Sequence, residues 1–231
     1  MIKGLIFDFD GLIIDTEVGD YQAWLEIYQE YGLDYPLTEW QQLIGIYTTV
    51  PIPLDRLDRL KGPIDHEVID SRRRQRSTEL SIHRPLLPGV MKYLLDAQQL
   101  GLRTAIASSS PRVWLDKFLE PRNLSSYFDI VVTGDTVSQV KPSPELFLSA
   151  IRQLGITAPE ALILEDSLNG LMAARSAETR CVIIPSRLTR GLDFHEANLV
   201  LESLDSLPLI DLLRHFGGHC SKEEERNESQ Q

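Results

Sequence analysis

Five short apolar runs punctuate the chain, at residues 4–9 (GLIFDF), 103–107 (RTAIA), 128–133 (FDIVVT), 161–164 (ALIL) and 181–184 (CVII). Each is rich in Ile, Val, Leu or Phe and is followed by polar, acidic or Gly-containing residues, which suits strands buried on both faces. Between the later runs the apolar spacing lengthens to that of a helix. Residues 90–100 carry Val90, Tyr93, Leu94, Ala97 and Leu100 before Gly101, and residues 144–154 carry Leu146, Phe147, Ala150, Ile151 and Leu154 before Gly155. Residues 169–177 form a third such segment, with small Ala173 and Ala174 allowing close approach to a sheet. Strand–helix alternation of this kind predicts a doubly wound, Rossmann-like α/β core around a parallel sheet.

The gap between the first two runs is far longer than one crossover helix needs. Residues 16–31 space Ala23, Trp24, Ile27, Tyr28 and Tyr31 as a helix, and residues 65–80 form a second, highly charged candidate. Residues 46–53 (IYTTVPIP) hold two prolines and cannot be an uninterrupted helix. Residues 17–83 are therefore expected to be an inserted α-helical domain over the C-terminal end of the first strand. The core would then comprise residues 1–16 and 84–216. Residues 217–231 are polar and aperiodic, and are expected to be a disordered tail.

Composition narrows the function classes. With 34 acidic and 23 Lys+Arg residues the formal net charge is −11, which argues against nucleic acid and anionic membranes as partners, since both need a basic footprint. The inserted segment, with twelve acids and seven bases, is acidic too, so no basic half hides behind the average. No apolar run approaches the roughly 18–20 residues of a membrane span. Acids stand where a signal peptide would carry its apolar segment. Cys181 and Cys220 have no metal-site or disulfide-framework spacing, so a reducing, cytoplasmic setting is expected.

Open α/β sheets bind ligands outside the carboxyl ends of their strands, which directs attention to the polar residues just after each run. These are Asp8, Asp10 and Gly11 after the first, Ser108, Ser109 and Ser110 after the second, and Glu165 and Asp166 after the fourth, with Lys141 between the third and fourth. Singly, each has a plain structural reading as turn former, helix start, surface lysine or acidic first turn. Together they make a crevice of carboxylates that would repel one another unless a divalent cation joined them, and hard oxygen ligands suit Mg²⁺. A cation beside a lysine, a hydroxyl and backbone amides makes a phosphoryl site.

The joint pattern resembles the haloacid dehalogenase-like hydrolase superfamily, in the branch of β-phosphoglucomutase and small-sugar phosphatases. DFDGLIIDTE (residues 8–17) is similar to its first motif, Ser108 in IASSS to the second, Lys141 in VKPSPELF to the third, and LILEDSLNGLMAAR (residues 162–175) to the fourth. The resemblance implies that Asp8 is the nucleophile and Asp10 the general acid/base. It implies that Mg²⁺ is ligated by Asp8, Asp166 and the main-chain carbonyl of Asp10, with Glu165 acting directly or through water. Phosphoryl contacts would come from Asp8, Gly11, Thr16, Ser108, Ser109 and Lys141, and the helical insert would be a cap over a small phosphorylated metabolite. Two departures favour a phosphatase over a mutase: Asp20 stands where the mutases have histidine, and residues 46–50 lack the basic residue that grips a second phosphate. A phosphomutase and, further off, a non-enzymatic phospholigand-binding protein remain the alternatives. A dehalogenase needs neither Asp10 nor a metal. Glu178 replaces a family glycine, which predicts a strained or a rearranged turn. The run Arg72, Arg73, Arg74 and Arg76 reads as a solvated face paired with nearby acids. Trp24 reads as core and Tyr47 as a possible contact to substrate. A monomer needs no further feature.

Overall fold

A computed structural model describes residues 1–47 and 52–217. The expectation for residues 217–231 falls outside this range except for Gly217, as do residues 48–51 of the proline-containing segment. Chain order runs β1 (Gly4–Phe7), α1 (Glu17–Glu30), α2 (Leu37–Gln41), α3 (Ile52–Lys61), α4 (His66–Ser81), α5 (Val90–Gln99), β2 (Arg103–Ala107) and α6 (Arg112–Leu119). It continues with β3 (Ile130–Val132), α7 (Glu145–Leu154), β4 (Ala161–Glu165), α8 (Leu168–Ser176), β5 (Arg180–Ile183), β6 (Leu199–Val200) and α9 (Leu209–His215).

The six strands form one sheet in the order β3-β2-β1-β4-β5-β6, and every pairing is parallel. A central parallel strand must be apolar on both faces, and Leu5, Ile6 and Phe7 of β1 are fully buried. Leu5 and Phe7 pack with Tyr93, Leu94 and Phe118 on one face. Ile6 packs with Phe147, Ala150 and Ala174 on the other. Helices thus cover both faces of the sheet, as the alternation of periods predicts. The two-residue β6 was not anticipated, being too short to carry a pattern.

Helices α1–α4 lie between β1 and α5 and have a hydrophobic cluster of their own, including Trp24, Tyr28, Tyr35, Trp40 and Leu57. Tyr28 and Tyr35 stack at 4.6 Å, and the Tyr28 hydroxyl donates to the Pro53 carbonyl at 2.7 Å. Asp65 caps α4 by accepting from the Val68 amide. The main seam is between α1 and α4, where Gly19 faces Ser81: a Cβ on residue 19 would stand 2.2 Å from the Ser81 hydroxyl. Proline at position 53 is compatible with α3 because it falls in the first turn, where its missing N–H costs nothing.

Register decides where chemistry can occur. Phe7 is level with Ile106 of β2 and Leu164 of β4, so the residues after all three strands emerge together. The strand order reverses beside β1, since β1 neighbours β2 on one side and β4 on the other. That is the topological switch point at which α/β sheets open a crevice.

Candidate active site

Asp8 is the first residue beyond β1, and its amide still donates to the Leu164 carbonyl at 2.9 Å. Glu165 ends β4 and Asp166 follows it, so three carboxylates meet at one end of adjacent strands. One oxygen from each lies within 4.8 Å of the others. Lys141, with a fully buried side chain, is bonded to Asp8 and, at 2.5 Å, to Glu165. Its ammonium also faces the Phe147 ring at 5.0 Å.

Burial lifts the Asp8 carboxyl to about 8; Lys141 opposes the shift, while Glu165 and Asp10 add to it. Asp166 is also raised well above the ordinary carboxylate range, by burial first and then by Glu165 and Asp8. Burial pulls the Lys141 ammonium down, but Asp8 and Glu165 more than offset it and leave it raised. One lysine therefore does not neutralise the nest.

A divalent cation fits what remains. Asp166 Oδ2 is buried with no hydrogen-bond partner, and such an orphan needs a partner of some kind. Gly11, at φ +87°, keeps the adjoining space clear, because a Cβ there would stand 2.3 Å from Asp166 Oδ2. Glu165 is differently placed. Its Oε1 accepts from Lys141, while Oε2 accepts from the amides of Asp166 and Ser167 at 2.7 and 2.8 Å and from the Ser167 hydroxyl at 3.0 Å. Gly170 makes room for it, since a Cβ at that position would lie 1.8 Å from Glu165 Oε1. Glu165 is thus wired into the start of α8, whereas Asp8 and Asp166 have the freer oxygens.

The Asp10 side chain is not part of the three-carboxylate group. Its Oδ1 accepts from Thr16 Oγ1 at 2.6 Å and Trp114 Nε1 at 2.8 Å; its Oδ2 accepts from Ser110 Oγ at 2.7 Å and Ser108 Oγ at 3.2 Å. The Asp10 carboxylate is thus held by four donors at the edge of a pocket.

Of the residues expected at the phosphoryl group, the structure gathers Asp8, Gly11 and Lys141 around the nest, while Thr16 and Ser108 turn their hydroxyls to Asp10. Ser109 departs from expectation. Its hydroxyl donates to the Gly45 carbonyl at 2.7 Å. The chain bends here, with the Ser110 amide donating back to the Ser108 hydroxyl at 3.0 Å, so that Ser108 and Ser110 face Asp10 and Ser109 faces the inserted helices.

Ser109 belongs to a set of contacts that docks the segment after α2 onto the core. Asn169 Nδ2 donates to the carbonyls of Ile44 and Gln42 at 2.8 and 3.0 Å, and Gln41 Nε2 donates to the Leu188 carbonyl at 2.6 Å. Beneath this roof lies a cavity of about 220 Å³. Asp10 and Thr16 stand at one end, Trp40, Tyr47 and Trp114 contribute aromatic wall, Lys117 adds a positive charge, and Arg73 lines it together with its partner Asp20.

The arginine run pairs with acids, as its charge pattern suggested: Arg72 with Glu30, Arg74 with Asp70, and Arg76 with Glu26. Arg73 is not a solvated residue. Its side chain is 13% exposed, lies 5.6 Å from the Trp24 ring, and is shared between Asp20 and Asp70, each at 2.7 Å. That pairing accounts for an aspartate at position 20. Sequence reasoning also missed Trp114 and Lys117, which sit on an ordinary amphipathic helix with no motif to mark them.

Comparison with known proteins agrees with this fold. A family model described as haloacid dehalogenase-like hydrolase matches residues 5–184. YhcW of Bacillus subtilis (strain 168), which carries a provisional phosphatase name, is 40% identical over 94% of this chain and 98% of YhcW. Hexitol phosphatase B of Escherichia coli O157:H7 is 31% identical over 92% of this chain and 97% of that protein. Among solved structures, a mutant CbbY from Rhodobacter sphaeroides in complex with xylulose-(1,5)bisphosphate superposes with a TM-score of 0.75 and 28% identity, covering 90% of this chain and 96% of that one.

Proposed function

Because this chain belongs to the haloacid dehalogenase-like hydrolase family and is a phosphoric monoester hydrolase, we propose that it hydrolyses a small sugar phosphate through a phospho-Asp8 intermediate, with Mg²⁺ as cofactor. The observation that carries the reading is the buried Asp8–Lys141–Glu165–Asp166 nest, with Asp10 two residues beyond Asp8 facing an adjoining cavity. Relatives named for phosphatase activity, and a CbbY structure that holds a sugar bisphosphate, support the substrate class.

Asp8 and Asp166 would hold the ion, together with the Asp10 main-chain carbonyl, while Glu165 fixes Lys141 and the loop that carries Asp166. Bound there, Mg²⁺ supplies positive charge to the nucleophile and to the phosphoryl oxygens. Lys141 favours the ionised form of Asp8, against its burial, and orients it. An Asp8 oxygen attacks phosphorus as the bond from phosphorus to the leaving oxygen breaks, and Asp10 gives that oxygen its proton. Water then attacks the phosphorus of phospho-Asp8, Asp10 takes a proton from it, and inorganic phosphate departs with Asp8 restored. Ser108 and backbone amides bind the phosphoryl oxygens.

The inserted residues 17–83 act as a cap on a core of residues 1–16 and 84–216, shielding the reaction from bulk water. A cavity of about 220 Å³ suits a small metabolite. No helix among the described residues is long and apolar enough to cross a membrane, and we place the protein in the cytoplasm as a monomer.

Hydrolysis of p-nitrophenyl phosphate should require Mg²⁺ and vanish in Asp8→Asn, and mass spectrometry of acid-quenched enzyme should find one phosphoryl group on Asp8. Activity that survives both metal removal and Asp8→Asn would sink the reading. With a hexose 1-phosphate and its bisphosphate, phosphate release rather than isomerisation is expected.

A further inference from the structure

The Asp10 carboxylate has about four lone-pair positions, and four donors fill them. The donors are not equivalent. Thr16, Ser108 and Ser110 are hydroxyls, which can turn and accept. The Trp114 indole is a donor only. It bonds Oδ1 alone, so that edge of the carboxylate is held as an acceptor whatever the hydroxyls do. The Oδ2 edge, held by two serine hydroxyls that can reverse, is the one able to carry a proton toward a leaving group.

The indole is itself held in place. Trp114 lies in the first turn of α6, with its amide bonded to the Pro111 carbonyl at 2.9 Å. Its ring meets Phe118 edge-on at 4.9 Å, and Phe118 packs on Phe9, the residue between Asp8 and Asp10, at 5.8 Å. Lys117 Nζ stands 5.4 Å from the ring centroid. The exposed part of the ring lines the cavity beside Asp10. One side chain therefore bonds the proton carrier and borders the space for the leaving group.

We propose that Trp114 is a positioning residue for the reaction: its indole N–H pins Asp10 Oδ1 and thereby turns Oδ2 toward the departing oxygen. This rests on the reading of Asp10 as the general acid/base. Proton delivery matters most when the leaving oxygen is strongly basic, so a misplaced acid should slow a poor leaving group more than a good one.

The test compares phenyl phosphate with p-nitrophenyl phosphate, two probes of similar shape whose leaving oxygens differ in basicity. The readout is kcat/KM, which reports the phosphoryl-transfer step. In Trp114→Phe, which keeps a ring but loses the N–H, we expect kcat/KM for phenyl phosphate to fall about fivefold to tenfold, the equivalent of one hydrogen bond. The value for p-nitrophenyl phosphate should stay within about twofold by the same scale. Trp114→His, which restores a ring N–H, should recover part of the loss. Equal losses on both substrates, or none on either, would overturn the proposal.

Asp10→Asn separates this failure from that of the wider reading. It should show the same selectivity more strongly; if it does not, Asp10 is not the acid. If it does while Trp114→Phe does not, only the role of Trp114 falls. Should Trp114→Phe fail to fold, the indole proton of Trp114 in ¹⁵N-labelled wild type gives a second measurement. Its resonance should lie downfield of those of Trp24 and Trp40 and shift upfield in Asp10→Ala, and an unmoved resonance overturns the proposal.

Discussion

Asp8 is expected to make the metal-free protein less stable as pH rises, and the size of the effect follows from its burial. Its carboxyl is lifted from the ordinary 3.8 to about 8. Between those values the folded state holds a proton that the unfolded state has released, so the unfolding free energy falls as pH increases. From pH 5 to pH 8 the window spans three units at about 1.36 kcal/mol each, roughly 4 kcal/mol in all. Asp15, Glu17 and Asp166 are raised as well and act in the same direction. The carboxylates held low, such as Glu160 at about 2, exert their opposite effect below this window. Urea denaturation in EDTA, followed by circular dichroism at pH 5, 6, 7 and 8, should therefore show a falling curve. Asp8→Asn should flatten much of it and be the more stable protein at pH 8, although inactive. Mg²⁺ at a hundredfold excess over its Kd should return about 2.7 kcal/mol to the wild type at pH 8. Wild-type stability that is flat or rising from pH 5 to pH 8 in EDTA would refute the reasoning, as would an Asp8→Asn curve parallel to the wild type.

Three further substitutions test separate parts of the structure. Gly11→Ala should cost at least about a hundredfold in kcat, because the new Cβ, at φ +87°, would meet Asp166 Oδ2 at 2.3 Å and displace a proposed metal ligand; isothermal titration with Mg²⁺ should show weakened binding in parallel. Asn169→Ala removes both bonds to the segment after α2; at about 1 kcal/mol each the docked-to-undocked ratio should fall roughly thirtyfold, read as a lower kcat/KM and a longer fluorescence-transfer distance between cap and core. Glu178→Gly should raise stability by about 0.5 kcal/mol, because relief of a left-handed residue exceeds the added chain entropy; a urea midpoint that does not rise would show the turn to be unstrained.

The last of these concerns a turn whose peculiarity could be read in advance. Glu178 does adopt a positive φ, 56°, where α8 ends and the Thr179 amide reaches back to the Ala174 carbonyl at 3.1 Å. Strands β1–β5 were equally legible, because burial on both faces leaves unbroken apolar runs. The inserted helices were less so. The five-residue α2 is shorter than two helical turns, and α3 follows a stretch whose prolines read as interruption. Helix α9 and strand β6 lie past the last motif and carry little pattern.

Within the site, the sequence marks residues by where strands end and fails where direction decides. Asp8, Glu165 and Asp166 could be named because parallel register brings strand ends together whatever the side chains do, and Lys141, in the connection between β3 and α7, through the motif around it. Ser108, Ser109 and Ser110 could not be told apart, since the bend that sends Ser109 toward Gly45 and the other two toward Asp10 leaves no mark in a run of identical residues. Arg73 differs from Arg72 and Arg74 only by its angle around α4, yet that angle buries it between Asp20 and Asp70 while its neighbours stay exposed. Trp114 is the extreme case, as its apolar ring satisfies the periodicity of α6 and its one polar atom does the distinctive work. Strand-end motifs therefore mark the nest, whereas Arg73, Trp114 and Lys117 around the cavity lie on helices, where rotation rather than position sets what a side chain meets. Relatives that share the nest can thus differ in substrate, and the residues to exchange between them are those around the cavity at positions 20, 73, 114 and 117.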